Sequence, residues 1–233
     1  TGEELGFQDL IKVIKQFKDL LNLWKDKIRH YQVRGHITVT GGEPFIRQDF
    51  LRLLKVFSDN KEYFSFSILT NGSFIDKSVA HYLRKLGPTF VQVSLDGDQS
   101  IHDKIRGKGS FDKTISALKH LVRQGIYTLI SFTANRENFR EFSKVVKWGR
   151  KLRVSRIWAD RFIPLGNGLA LKEQVLTPEE TREFFKIMYK TRNSLVRYWY
   201  RRTEVSMHRA LQFLIGGGRP YHCTAGDTLI TVQ

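Results

Sequence analysis

His36-Ile37-Thr38-Val39-Thr40-Gly41-Gly42-Glu43-Pro44-Phe45-Ile46 reads as a short buried strand that stops abruptly on two glycines. Ile37 and Val39, with Thr38 and Thr40 between them, supply the β-branched side chains that suit a pleated surface. The glycines free the backbone to turn and leave its carbonyls unshielded by side chains, so a cation can approach them. Glu43 adds a negative charge at the same place. Pro44 fixes the next φ and keeps Glu43 out of the helical region. Such a turn suits an ammonium group. It equally suits an ordinary strand-to-helix connection with a solvated glutamate, and these residues alone leave both readings open.

Outward from this turn the chain repeats one unit. Upstream, Leu10, Ile11, Ile14, Phe17, Leu21, Trp24 and Ile28 recur at helical spacing among lysines, which predicts an amphipathic helix over 7–30 lying on a sheet. Downstream, Phe50, Leu51, Leu53, Leu54 and Phe57 predict a second helix. A strand over 64–70 is then stopped by Asn71-Gly72, a helix over 76–86 by Gly87-Pro88, and a strand over 90–95 by Asp96-Gly97. The pattern continues with a helix over 111–124, a strand over 127–133, a helix over 137–151 and a strand over 155–162. Five strands alternating with helices, at a period of about 30 residues, imply parallel βαβ units with right-handed crossovers. Beyond Gly168 the alternation is expected to stop.

In each unit the polar residues collect just after the strand: Gly41-Gly42-Glu43, Thr70-Asn71-Gly72, Ser94-Leu95-Asp96-Gly97, Thr133-Ala134-Asn135 and Pro164-Leu165-Gly166-Asn167-Gly168. Parallel α/β sheets build their sites at the carboxyl ends of the strands, so these stretches are expected to meet at one mouth. Any one of them, taken singly, is also ordinary turn chemistry. Further on, Thr177-Pro178-Glu179-Glu180 is a helix start, with a threonine cap, a proline in the first turn and acids at the positive end of the dipole.

These segments together resemble the radical S-adenosylmethionine (radical SAM) enzymes. Thr40-Gly41-Gly42-Glu43-Pro44-Phe45 is similar to the family's GGEP motif, Ser94-Leu95-Asp96-Gly97 to its SxDG stretch, and the matches keep the family's order from residue 36 onward. The resemblance implies that Gly41, Gly42, Glu43 and Pro44 meet the α-ammonium of S-adenosylmethionine. Ser94 and Asp96 would meet its carboxylate and ribose hydroxyls, with Arg106 as a clamp for the carboxylate. Asn71 and Asn135 would line the rim, and Leu165 and Gly166 would flank the adenine. It further implies a [4Fe-4S] cluster, an external electron donor, and hydrogen abstraction from a substrate by a 5'-deoxyadenosyl radical.

One feature of the sequence departs from that family. Cluster binding there takes three cysteines spaced CxxxCxxC ahead of GGEP, and the single cysteine here is Cys223. The expectation is that the cysteine loop lies upstream, so that this stretch by itself would be inactive. Tyr221-His222-Cys223-Thr224-Ala225-Gly226 is similar to the opening of a SPASM or twitch extension, where Cys223 would be a candidate ligand of an auxiliary [4Fe-4S] cluster. The expected architecture is therefore α/β, a partial (β/α)6 TIM-like barrel over 1–175 without its first strand, a helical connection over 176–218, and the start of a SPASM or twitch domain over 219–233. Relatives with that extension commonly modify peptides or proteins, which implies a peptide or protein substrate.

Composition bounds the remaining choices. With 41% hydrophobic and 27% charged residues the 233-residue chain can bury a core and is not of disordered type. No apolar run approaches the ~20 residues of a membrane span and no signal peptide opens the chain, so a cytoplasmic location is expected without a membrane partner. The net charge of +16 suits an acidic partner such as an acidic leader peptide. Its cations are spread over several predicted helices, the pattern of solvated faces, and nucleic acid is not the expected partner. A non-catalytic basic α/β module that binds nucleic acid, or a degenerate radical SAM scaffold, stands as the alternative.

Overall fold

The computed structural model describes residues 4–27, 32–193 and 203–207. Its elements in chain order are α1 (Phe7–Lys27), β1 (Gly35–Val39), α2 (Phe50–Asp59), β2 (Phe64–Thr70), α3 (Lys77–Leu86) and β3 (Val91–Ser94). They continue with α4 (Gln99–Arg106), α5 (Ser110–Arg123), β4 (Thr128–Ala134), α6 (Phe142–Leu152), β5 (Arg156–Arg161), α7 (Pro178–Asn193) and β6 (Glu204–Met207). Among the described residues all neighbouring strands pair in parallel and in sequence order, β1-β2-β3-β4-β5-β6, with β1 and β6 at the edges. This is the open sheet of an incomplete α/β barrel.

The register puts the two sets of side chains on opposite faces. Ile37 lies beside Phe66 and Val39 beside Ile68, and the same face carries Val91, Val93, Ile130, Phe132 and Ile157, all in the hydrophobic core under the helices. Phe64 anchors it, fully buried with its ring 5.8 Å from Phe17 of α1 and 6.0 Å from Phe57 of α2. The other face is mixed, with a polar edge at β1 and β2 and a polar pair at the end of β3 and in β4. His36 pairs with Ser65, Thr38 with Ser67 and Ser94 with Ser131, and the His36 ring lies 2.7 Å from Ser65 Oγ and 2.9 Å from Ser67 Oγ. A parallel sheet usually buries both faces in apolar residues. Here the second face instead mixes Leu69, Leu129 and Trp158 with the imidazole, hydroxyl and amide groups of His36, Thr38, Ser67, Gln92 and Ser131.

The fold differs from the sequence reading at three places. A sixth strand exists, with Val205 beside Ile157, so the alternation does not stop at Gly168; α7 serves as one more crossover. Its four residues, Glu-Val-Ser-Met, are too few for a two-residue period to stand out. Residues 99–106 form α4, capped by the Asp98 carboxylate, which accepts from the Ile101 N–H at 3.5 Å. The helix predicted over 137–151 begins instead with a short 3-10 turn at Phe139–Glu141, because Asn138 and Asn135 engage one another before α6 starts. Cys223, and with it the expected SPASM or twitch start, lies outside the described residues. Among the described residues no helix is long and apolar enough to cross a membrane.

Candidate functional site

Where β1 ends, Gly41 takes φ +146°, a conformation that side chains resist, and a Cβ on either Gly41 or Gly42 would meet nothing within 4 Å. The backbone there is open to a ligand. Glu43 is fixed from the neighbouring strand: its Oε1 accepts from Thr70 Oγ1 at 2.7 Å and from the Phe45 N–H at 3.3 Å, and its Oε2 accepts from the Asn71 N–H at 2.6 Å. Three acceptor positions are in use, of the roughly four that a carboxylate offers. One remains on Oε2 for an outside donor such as an ammonium.

The β3 end is held just as firmly. Asp96 is buried, 3% exposed, although it is an acid in a loop. Its N–H donates to His102 Nδ1 at 3.1 Å, its carbonyl accepts from Asn138 Nδ2 at 3.1 Å, and its Oδ2 is ion-paired with Arg106 Nε. His102 is wholly buried, its ring edge-on to Phe111 at 6.0 Å. On its far side Nε2 lies 3.4 Å from Thr114 Oγ1, which in turn donates to the Asn71 carbonyl at 3.1 Å. Burial pushes the imidazole below its ordinary value; the Asp96 and Asp103 carboxylates oppose the shift and the Arg106 guanidinium reinforces it.

The expected residues can now be located. Glu43, Asn71 and Asp96 are joined by one hydrogen-bonded path through Thr114 and His102, so the ends of β1, β2 and β3 meet on the same rim. The β4 end joins through Asn138, which also donates to the Thr133 carbonyl at 3.0 Å. Arg106 engages Asp96 directly, where the sequence reading aimed it at a ligand carboxylate. The Asn135 side chain closes its own turn by accepting from the Glu137 and Asn138 N–H groups at 2.9 and 3.1 Å. It is Asn138, three residues on, that bridges the loops. Ser94 ends β3 on the mixed face, beside Ser131. Leu165 is 74% exposed and Gly166 follows at φ +55°, and neither enters the hydrogen-bonded path.

Three contributors, Thr114, Asn138 and the ring of His102, were not singled out from the sequence: Thr114 and Asn138 work on backbone carbonyls of distant loops, and His102 on a backbone N–H six residues before it. Some cations elsewhere are held in exposed ion pairs, such as Arg140 with Glu183 at 2.8 Å and Arg156 with Glu204 at 2.8 Å. Among the described residues no group of three or more His, Cys, Asp or Glu side chains is placed to hold a metal ion.

The fit to S-adenosylmethionine follows from this donor set. A carboxylate with a spare acceptor beside bare glycine backbone suits its ammonium, and a serine and a buried aspartate on the next rim suit its carboxylate and diol. A [4Fe-4S] cluster is not fitted by these residues, since it takes three thiolates and the sequence holds one cysteine.

Comparison with known proteins gives the same direction. The profile of the radical SAM superfamily matches residues 11–149. Fe-coproporphyrin III synthase of Methanosarcina barkeri is 33% identical over 148 residues, 63% of this chain and 37% of the relative. Mycofactocin maturase MftC of Mycolicibacterium smegmatis is 31% identical over 178 residues, 73% of this chain and 42% of the relative. The chain thus spans less than half the length of these relatives. Among solved structures, Streptococcus suis SuiB bound to S-adenosylmethionine superposes with a TM-score of 0.66 at 15% identity, covering 95% of this chain and 48% of that one. SuiB bound to precursor peptide SuiA gives 0.59 at 16% identity, covering 82% and 42%.

Proposed function

The chain belongs to the radical SAM superfamily, and from that premise we propose that its β1–β4 rim binds S-adenosylmethionine for radical modification of a peptide or protein substrate. The observation that carries the reading is the hydrogen-bonded path from Glu43 to Asp96: the two motif acids belong to one connected rim. In this assignment Glu43 and the Gly41 and Gly42 carbonyls take the ammonium, Ser94 takes the carboxylate, and Asp96 takes the ribose hydroxyls while its ion pair with Arg106 orients it. Bound S-adenosylmethionine supplies a sulfonium whose one-electron cleavage is the source of a 5'-deoxyadenosyl radical. The protein's task is to hold and orient that cofactor at the rim and keep stray donors away. The three thiolates for the cluster, and the electron donor, are assigned to parts of the protein outside these residues.

The peptide or protein substrate is supported by the likeness to a maturase and to a structure that holds a precursor peptide. The basic surface suits an acidic leader. Titration calorimetry of the chain with S-adenosylmethionine tests the assignment. Glu43→Gln and Asp96→Asn are each expected to weaken binding by about tenfold, or ~1.4 kcal/mol. Binding unchanged in both folded variants refutes it, and tight RNA binding with a steep salt dependence favours the basic-module reading.

A further inference from the structure

Four hydrogen bonds run in one direction along the rim. The Asp96 N–H can only donate, so His102 Nδ1, 3.1 Å away, must present its lone pair. The ring proton then sits on Nε2 and points at Thr114 Oγ1, 3.4 Å away. That hydroxyl has one proton and donates it to the Asn71 carbonyl at 3.1 Å, so towards the imidazole it acts as acceptor. The same residue's N–H closes the path on Glu43 Oε2 at 2.6 Å. Every donor points from the aspartate turn towards the glutamate; the first three bonds share the imidazole and the hydroxyl and so polarise and strengthen one another, while the fourth starts from the other peptide group of Asn71 and joins Glu43 to the path by geometry.

We propose that His102, as the neutral Nε2–H tautomer, is the positioning residue of the rim: it sets the Asp96 turn directly and the Asn71 loop through Thr114, and so couples the two halves of the cofactor site. This rests on the reading of the rim as a cofactor site. The ring is suited to the task because it is wholly buried against Phe111, so bulk solvent does not compete for either bond. Asn138 completes the hold by taking the Asp96 carbonyl, which leaves the Asp96 peptide fixed on both sides.

Two substitutions divide the ring's functions. In His102→Asn the amide oxygen falls where Nδ1 was and keeps the bond from Asp96, but the side chain is too short for Thr114. In His102→Gln the amide nitrogen reaches Thr114, and the acceptor for the Asp96 N–H is lost. Imidazole nitrogen NMR on the wild-type chain should show Nδ1 unprotonated and Nε2 protonated; the opposite tautomer overturns the proposal. Amide exchange should show Asp96 losing protection in His102→Gln and keeping it in His102→Asn; equal protection in both overturns it as well. Calorimetry with S-adenosylmethionine, at a temperature where circular dichroism shows each variant folded, should give about tenfold weaker binding in both. Wild-type affinity in both variants overturns the coupling. If the unmutated chain does not bind S-adenosylmethionine at all, the cofactor reading falls, and the tautomer and exchange results still decide the role of His102.

Discussion

Replacing Glu43 by glutamine changes one atom and removes one charge, so its effect can be worked bond by bond. The wild-type carboxylate serves Thr70 Oγ1 at 2.7 Å, the Asn71 N–H at 2.6 Å and the Phe45 N–H at 3.3 Å. A glutamine has one acceptor oxygen. Its best orientation turns that oxygen to Asn71 and its amide nitrogen to Thr70 Oγ1, which can accept although it already takes the Gly72 N–H at 2.9 Å. The Phe45 N–H, the longest of the three contacts, is then left without an acceptor. Two charge-assisted bonds become neutral ones and one weak bond is lost, about 1–2 kcal/mol in all. Alanine leaves both the Asn71 N–H and the Thr70 hydroxyl without an acceptor, about 2–4 kcal/mol. In a chain of this size 1 kcal/mol moves the melting temperature by about 2–4 °C. Thermal unfolding without ligand should therefore rank wild type above Glu43→Gln and Glu43→Gln above Glu43→Ala, with a first step of about 2–8 °C. A glutamine variant that melts with the wild type, or an alanine variant no less stable than glutamine, would show that Glu43 is not held by the β2 end, and the rim would lose its anchor.

Two further predictions concern the same rim. Gly72→Ala places a Cβ 3.0 Å from Val93 Cγ1 and 3.1 Å from Ala117 Cβ at φ +83°, so strain and crowding combine to roughly 1–3 kcal/mol; a wild-type urea midpoint would contradict that packing. Burial holds the folded-state value of His102 below the 6.5 at which the unfolded chain protonates, so the unfolded state binds more protons in that interval and stability rises with pH. The contribution is complete above that value and is lost as pH falls through the lower folded one. Urea unfolding across that range should show a smaller pH slope for His102→Gln than for wild type, with His36, also lowered by burial, supplying part of what remains; an identical slope would refute the buried neutral ring.

The local chemistry of the chain was enough to fix the repeating unit. β-Branched runs ending on glycine or Asx-Gly pairs identify strands and their stops, and helical spacing of Leu54, Phe57, Leu83, Leu118 and Leu121 identifies the faces that cover them. These signals depend only on residues close in sequence. The parallel direction of the strands, and the end at which polar loops gather, follow from that alternation, so Glu43, Asn71 and Asp96 were legible as rim residues, while the sequential strand order was implied by the family resemblance. The short β6 was not, because four residues carry too little pattern and its placement is decided by pairing with β5.

Partner choice across the rim had no such local signature. Nothing near Asp96 in sequence says that its carbonyl will be taken by Asn138, 42 positions on, or that Thr114 will answer Asn71 across 43. Hydrogen bonds to backbone groups leave no residue pattern, since every residue has the same backbone. Sequence alone therefore determined which side chains arrive at the carboxyl ends of the strands. Only the tertiary structure decided that Arg106 turns onto Asp96, that Asn138 bridges the β3 and β4 loops, and that a buried imidazole ties one motif to the other.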